Sequence, residues 1–328
     1  MLQAFLYDAD GHDREIQLAF RDPPELSEHR ILWIDVTAPD EEEVGKLKRL
    51  LGWHPDLARA VGEGGATILS NYGEYFHCAV TSLQTGQPTS DNTPSIPLGV
   101  DLKFVVGPNW LVTVADKELS FLPQFRDRDR GETLIGRLSS GALAASLLDQ
   151  HLSTYLEALE ALEGWLDVLD VRLLASKAAD RTLLKGVVSA RRVVSRLRRY
   201  LAAQRTVFYG LARPDFALVA DTDAKEAFVA LEQRYDRAMD AVEHSRELVR
   251  GSFDLFATRI AESTNVLIRR LTFVSIALGG VGAVAGIFGM NFHMPLFETG
   301  AHGFWGVLGI LITAIAVGYA VSKSRGWV

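Results

Sequence analysis

The sequence predicts an α+β cytoplasmic domain that leads through one long helix into a region with two transmembrane helices. Three observations support this fold class. Short β-type runs occupy residues 1–130, helical periodicity continues to about residue 267, and two uncharged apolar runs follow. With 48% hydrophobic and 23% charged residues, the chain can bury a sizeable core and keep a polar surface.

The first segment, residues 1–130, is predicted to be an α/β domain. Its six expected strands are Leu2–Tyr7, Ile31–Val36, Ile68–Asn71, Tyr75–Ser82, Leu98–Val106 and Trp110–Val114. The turn residues 107–109, Gly-Pro-Asn, predict a hairpin between the last two strands. Thr37 is predicted to cap a helix that runs through Leu51, with acidic residues enriching its first turn.

Residues 131–214 are predicted to form an antiparallel helical pair, because leucines from Leu152 to Leu173 recur at spacings of three and four and a second helix is expected over Arg181–Leu211. An acidic stripe follows the first helix (Glu157, Glu160, Asp167, Asp170), and arginines crowd the second (Arg191, Arg192, Arg196, Arg198, Arg199, Arg205). We interpret the stripes as solvated faces that form salt bridges with each other, with cation collection by the acidic stripe as the alternative. The net charge of −7 disfavours nucleic acid as a partner.

Residues 215–291 are predicted to form a stalk helix that continues into the first transmembrane helix at about 271–290. Apolar residues from Phe228 to Leu267 recur roughly every 3.5 residues, so we expect this seam to pack against copies of the chain in a symmetric oligomer. One face of the helix is expected to line a pore. Its members are Asp254, Asn265, Ser275, Gly279, Gly282, Gly286 and Asn291.

The second transmembrane helix is predicted at residues 304–322, after an extracytoplasmic loop at 292–303 and before a tail at 323–328. Arg269 and Arg270 precede the first span, Lys323 follows the second, and the loop has neither lysine nor arginine. This asymmetry predicts a multi-pass protein of the inner membrane with both termini in the cytoplasm. The loop carries three ionisable side chains, which are His293, Glu298 and His302.

The residues Gly286–Phe292, Gly-Ile-Phe-Gly-Met-Asn-Phe, end the first span and are followed by one more apolar run. The chain thereby resembles the CorA family of magnesium channels, whose signature is Gly-Met-Asn at this place. The resemblance implies a funnel-shaped homopentamer in the lipid bilayer that admits Mg²⁺, and also Co²⁺ or Ni²⁺. It also implies a selectivity filter of Gly289, Met290 and Asn291, with the amide oxygen of Asn291 facing the hydrated ion.

The resemblance further implies that Asp254 contributes to an intersubunit site where cytoplasmic Mg²⁺ acts as a regulatory ligand. His293, His302 and Glu298 are additional candidate metal ligands, and the two histidines suit Zn²⁺ better than Mg²⁺. A zinc transporter of the ZntB branch is therefore one alternative. A membrane-anchored sensor or structural protein is the other. The sequence lacks a phosphate-binding loop, a His-Glu-x-x-His motif and a nucleophile elbow, so we expect no enzyme activity and no cofactor.

Overall fold

The computed structural model describes residues 1–8, 13–18, 26, 29–62, 68–84, 94–128, 135, 138–176, 180–213, 215–216, 224–290 and 300–324. These residues belong to two compact units. The first unit comprises residues 1–169 and 184–252, and the second comprises residues 170–183 and 253–328.

The first unit contains a seven-stranded mixed sheet. Its strands are β1 (Leu2–Asp8), β2 (Arg14–Ile16), β3 (Arg30–Thr37), β4 (Ile68–Asn71), β5 (Phe76–Gln84), β6 (Leu98–Gly107) and β7 (Trp110–Ala115). Their order is β2-β1-β3-β7-β6-β5-β4, and β3 and β7 pair in parallel while the other neighbours are antiparallel. All six predicted strands are present. The sequence did not predict β2, which has three residues, lies at the sheet edge and is largely exposed.

Two short helices, α1 (Glu41–Leu51) and α2 (Pro55–Gly62), cover one face of the sheet. The prediction that Thr37 caps α1 is wrong, because Thr37 still pairs with β7. Asp40 is the cap: its side chain accepts a hydrogen bond from the Glu43 amide at 2.6 Å, and the Glu43 carboxylate accepts one from the Asp40 amide. This reciprocal pair satisfies two backbone donors at the start of the helix.

The next four helices along the described part of the chain are α3 (Phe121–Arg128), α4 (Ser140–Ala175), α5 (Arg181–Ala203) and α6 (Arg205–Leu211). The predicted second helix over Arg181–Leu211 is therefore two helices, interrupted at Gln204. Gln204 is fully buried. A buried amide needs hydrogen-bond partners, and the interruption places this side chain among several of them.

The partners of Gln204 form a buried polar network between α4, the α5–α6 interruption and β5. The Gln204 Oε1 accepts a hydrogen bond from the His151 Nε2 at 2.8 Å, and the Ser82 Oγ lies 3.1 Å from the His151 Nδ1. The Gln204 Nε2 lies 3.1 Å from both the Thr81 carbonyl oxygen and the Tyr155 hydroxyl. The Gln204 bond places a proton on the His151 Nε2, and burial favours the neutral imidazole by lowering the pKa of His151 to about 4.

The longest helix, α7, runs without interruption over Ala224–Phe288. The early part of its apolar seam is covered by the same chain, since Phe228, Tyr235 and Val242 are buried and the Tyr235 hydroxyl donates to the Leu201 carbonyl at 3.0 Å. The prediction that the whole seam packs against other copies is therefore wrong for this part. Later in the helix, Leu267 is 62% exposed.

The predicted salt bridges between α4 and α5 are also wrong within the first unit. Among its described residues, Glu157, Glu160 and Asp167 form no ion pair with the arginines of α5. The reason is that α7 supplies other partners: Arg198 pairs with Glu243 of α7.

The second unit contains the later part of α7 and the last helix, α8 (Gly300–Ser324). Both helices are long and apolar enough to cross a membrane. They contact each other through Phe273 and Tyr319, whose ring centroids are 6.1 Å apart. The unit also includes the end of α4, where the Arg259 guanidinium donates to the Leu174 carbonyl at 2.6 Å and so satisfies one terminal backbone acceptor.

Candidate functional site

The predicted filter begins where α7 ends. The Gly289 amide donates to the Ala285 carbonyl at 2.9 Å, and the Met290 amide donates to the Ile287 carbonyl at 3.3 Å, so the last turn is tighter than an α-helix. Gly289 does not adopt the left-handed conformation. A Cβ at this position would lie 3.2 Å from the Ala285 carbonyl oxygen, which favours glycine by close approach rather than by a positive φ.

Asn291, whose amide oxygen is predicted to face the hydrated ion, lies outside the described residues, as do His293 and Glu298. Their roles stay predictions. His302 lies in the first turn of α8 and is exposed. Met290 is 52% exposed in the single chain.

The predicted pore-lining residues share one face of α7. At about 100° per residue, the five side chains fall within an arc of roughly 100°. They are Asn265, Ser275, Gly279, Gly282 and Gly286, and all five are exposed. Phe273, which contacts α8, lies about 130° around the helix from the middle of this arc. Packing against α8 therefore leaves the predicted pore face uncovered.

The glycines on this face make it smooth and open. A Cβ built at Gly279, Gly282 or Gly286 would meet no other atom within 4 Å. Close packing against α8 therefore does not explain the Gly282-x-x-x-Gly286 spacing in the described part of the chain. A surface of this kind allows close approach by another helix or by a hydrated ion.

Asp254 lies earlier on the same face of α7 and is exposed. Within the described ranges, no group of three or more histidine, cysteine, aspartate or glutamate side chains is arranged to hold a metal ion. The regulatory metal at Asp254 therefore stays a prediction, and it would need further ligands such as those of a second subunit.

The second unit contains a cavity that the sequence did not predict, since Arg269 was used only to predict the membrane topology. A cavity of about 390 Å³ lies between α7 and α8 and includes Arg269 in its wall. The i, i+4, i+8 spacing of Ile268, Thr272 and Ile276 is the sequence signal that places these residues on one helix face. The facing residues of α8 could not be identified without the structure.

Comparison with known proteins gives matches over nearly the whole chain. A family model described as "CorA-like Mg²⁺ transporter protein" matches residues 28–323. The cobalt/magnesium transport protein CorA from Methanocaldococcus jannaschii is 21% identical over 306 residues, which are 92% of this chain and 93% of that protein.

Solved structures show the same fold. The complete structure of the CorA magnesium transporter from Methanocaldococcus jannaschii has a TM-score of 0.77 at 20% identity and covers 99% of this chain and 98% of its own. The cytoplasmic domain of ZntB from Vibrio parahaemolyticus has a TM-score of 0.57 at 11% identity, covering 80% of this chain and 98% of its own. The first of these two matches includes both membrane-spanning helices.

Proposed function

The chain belongs to the family of CorA-like Mg²⁺ transporter proteins, and from this premise we propose that it admits Mg²⁺ to the cytoplasm through a homopentameric pore. Metal-ion transport across a membrane is the function of the family. The choice of Mg²⁺, the pentamer, the inner membrane and the cytoplasmic position of both termini are our proposals. Co²⁺ and Ni²⁺ are proposed as further substrates.

The uncovered face of α7 carries the proposal. Its residues are small or polar, they do not contact α8, and they lead along one uninterrupted helix to the Gly-Met-Asn sequence. Five copies of this face around an axis would enclose a path without acidic side chains between Asn265 and Gly286. A hydrated cation could move along such a path without being trapped, because conduction requires binding that is weak enough to release the ion.

Asn291 is proposed as the entrance filter, with Gly289 and Met290 placing it. Mg²⁺ dehydrates reluctantly, so a ring of neutral amide oxygens can accept hydrogen bonds from the water shell of the ion. Carboxylates would hold the ion more tightly. Met290 is proposed to pack rather than to bind, since its thioether is a poor ligand for a hard cation.

Asp254 is proposed to bind a regulatory divalent cation between subunits. A metal that bridges two subunits only in the closed packing shifts the population of channels toward the closed state. Glu298, His293 and His302 are proposed to attract cations near the pore mouth.

Uptake into proteoliposomes tests the proposal. Mg²⁺ entry should rise with an inside-negative potential, and Asn291→Ala should abolish it. Thr313→Ala is the matched control, because the Thr313 hydroxyl donates to the Gly309 carbonyl within α8 and the residue belongs to the other span. This variant should transport like the unaltered protein.

The same assay separates the alternatives. Uptake of Zn²⁺ alone, driven by a proton gradient and not by the potential, would assign the chain to the ZntB type. If no divalent cation enters, the proposed pore is wrong and a membrane-anchored sensor becomes the better explanation. If Asn291→Ala transports normally, the assignment of Asn291 as the entrance filter is wrong.

A further inference from the structure

The cavity between α7 and α8 is built from both helices of the second unit. Its walls are Ile268, Arg269, Thr272, Phe273, Ile276, Gly318, Val321 and Ser322. Its volume of about 390 Å³ is within the range of small-molecule binding sites, so it can hold a part of a lipid such as one acyl chain. None of the proposed pore-lining residues belongs to it.

Most of this wall is apolar. The Thr272 hydroxyl donates to the Ile268 carbonyl at 2.8 Å, so its hydrogen-bonding capacity is used within the helix. Phe273 closes one side through its ring contact with Tyr319. Gly318 leaves room, since a Cβ there would meet only the Phe273 ring, at 3.8 Å. An apolar chain therefore fits most of the cavity.

One end of the cavity is cationic. Arg269 of α7 and Ser322 of α8 line this end, and Ser322 is only 7% exposed. Arg269 lies two residues before the first uncharged span, and Lys323 lies directly after Ser322. Charged residues at the end of a span are at the depth of the lipid headgroups, where phosphates are the available anions.

We propose that this cavity binds one anionic phospholipid, with its phosphate at Arg269 and an acyl chain along Ile276 and Gly318. A groove between two helices in a membrane has to be filled by lipid or by protein. The lone arginine in its wall selects an occupant that carries a negative charge beside an apolar tail. The proposal depends on α7 and α8 lying in a membrane and not on which cation is transported.

Native mass spectrometry of the full chain, purified in neutral detergent, measures this binding. The protein is mixed with phosphatidylglycerol or with phosphatidylcholine of the same acyl chains. We expect phosphatidylglycerol to be retained in preference, and Arg269→Gln to weaken its binding about fivefold, the effect of one basic residue at a membrane surface. Arg270→Gln is the matched control, because it removes the same charge from the same helix turn outside the cavity. Its effect should be less than about twofold.

A second variant tests the apolar part. Gly318→Leu fills the cavity and should abolish selective retention while thermal unfolding shows that the protein is folded. Equal losses in Arg269→Gln and Arg270→Gln would overturn the proposal in favour of diffuse charge attraction. Displacement by soluble glycerol 3-phosphate would show a phosphate site without a lipid tail, and cross-linking of residue 318 to another subunit would show that protein fills the cavity.

Discussion

His77 and His151 are both buried in the first unit, and burial lowers the pKa of each side chain to about 4. Lys103 adds electrostatic repulsion at His77. The two histidines differ in their hydrogen bonds. His151 is bonded through both ring nitrogens, whereas neither ring nitrogen of His77 has a partner among the described residues.

These neutral histidines predict acid sensitivity of the first unit. In the unfolded chain, a histidine takes up a proton as the pH falls through about 6.5, whereas the folded side chains resist protonation until about pH 4. The free energy of unfolding therefore keeps the full contribution of these histidines above pH 6.5 and decreases as the pH falls from 6.5 to 4. Each histidine contributes up to about 1.4 kcal/mol per pH unit in this window.

Denaturant unfolding of the full chain in detergent at a series of pH values measures the slope. His151→Gln should reduce the slope below pH 6.5, since glutamine does not titrate. His244→Gln is the control because His244 is exposed on α7, and it should leave the slope unchanged. If the His151 variant keeps the full slope, the buried network does not cause the acid sensitivity.

At the scale of the elements, the sequence pattern predicted features that depend on neighbouring residues. It failed for features that depend on contacts between residues far apart in the sequence. Short β-type runs, together with the turn residues 107–109, indicated β1, β3 and the β6–β7 hairpin with nearly correct bounds. The interruption at Gln204 could not be predicted, because it depends on His151 and Thr81, which are far away in the sequence. The α7 seam was identified correctly, but periodicity does not say which part the same chain covers.

The packing of α4 against α5 can be tested with a pair of glycines. A Cβ at Gly186 of α5 would lie 2.9 Å from the Trp165 ring, whereas a Cβ at Gly164 of α4 would meet nothing within 4 Å. Gly186→Ala should therefore lower the free energy of unfolding by about 1 kcal/mol, the overpacking cost exceeding the gain in helix propensity. Gly164→Ala should raise it by a similar amount.

Thermal unfolding of the full chain in detergent distinguishes the two glycine variants by the sign of the shift. Stabilisation by both variants would mean that helix propensity outweighs packing at Gly186, and destabilisation by Gly164→Ala would contradict the expected gain in helix propensity.

At the scale of the whole molecule, the sequence predicted the two spans and the family, because both depend on composition and on a contiguous motif. The proposed pore face of α7 could also be located from the sequence, since helical geometry alone groups Asn265 with Gly286. The cavity between α7 and α8 could not be located, because its wall combines residues of two helices whose rotation about their own axes is set by packing. Sequence spacing within one helix carries no information about that rotation.

The proposed oligomer can be tested through the one native cysteine, Cys78, which is fully buried and whose thiol pKa is raised by burial. It should not react with maleimides. Leu267→Cys adds an exposed thiol on the uncovered part of the α7 seam. We expect a short bis-maleimide to link this variant into dimers in membranes, because copies of this segment surround one axis in the proposed pentamer.

The control for this cross-linking is Lys225→Cys, whose thiol would be exposed at the start of α7, where the seam is covered by the same chain. It should give little dimer on a denaturing gel. Dimers in equal amount from both variants would indicate random collision, and their absence from Leu267→Cys would contradict an axial arrangement of α7.

The network around Gln204 also constrains how this sequence can change over generations. Replacing His151 alone leaves the Gln204 carbonyl oxygen without this hydrogen-bond partner. Replacing Gln204 alone leaves the His151 Nε2 without it, so each single step costs a buried hydrogen bond. Replacing both with apolar residues of similar volume removes both of these atoms, so neither is left buried without a partner. The two positions are thus energetically coupled although 53 residues separate them, and they should be inherited and lost as a pair.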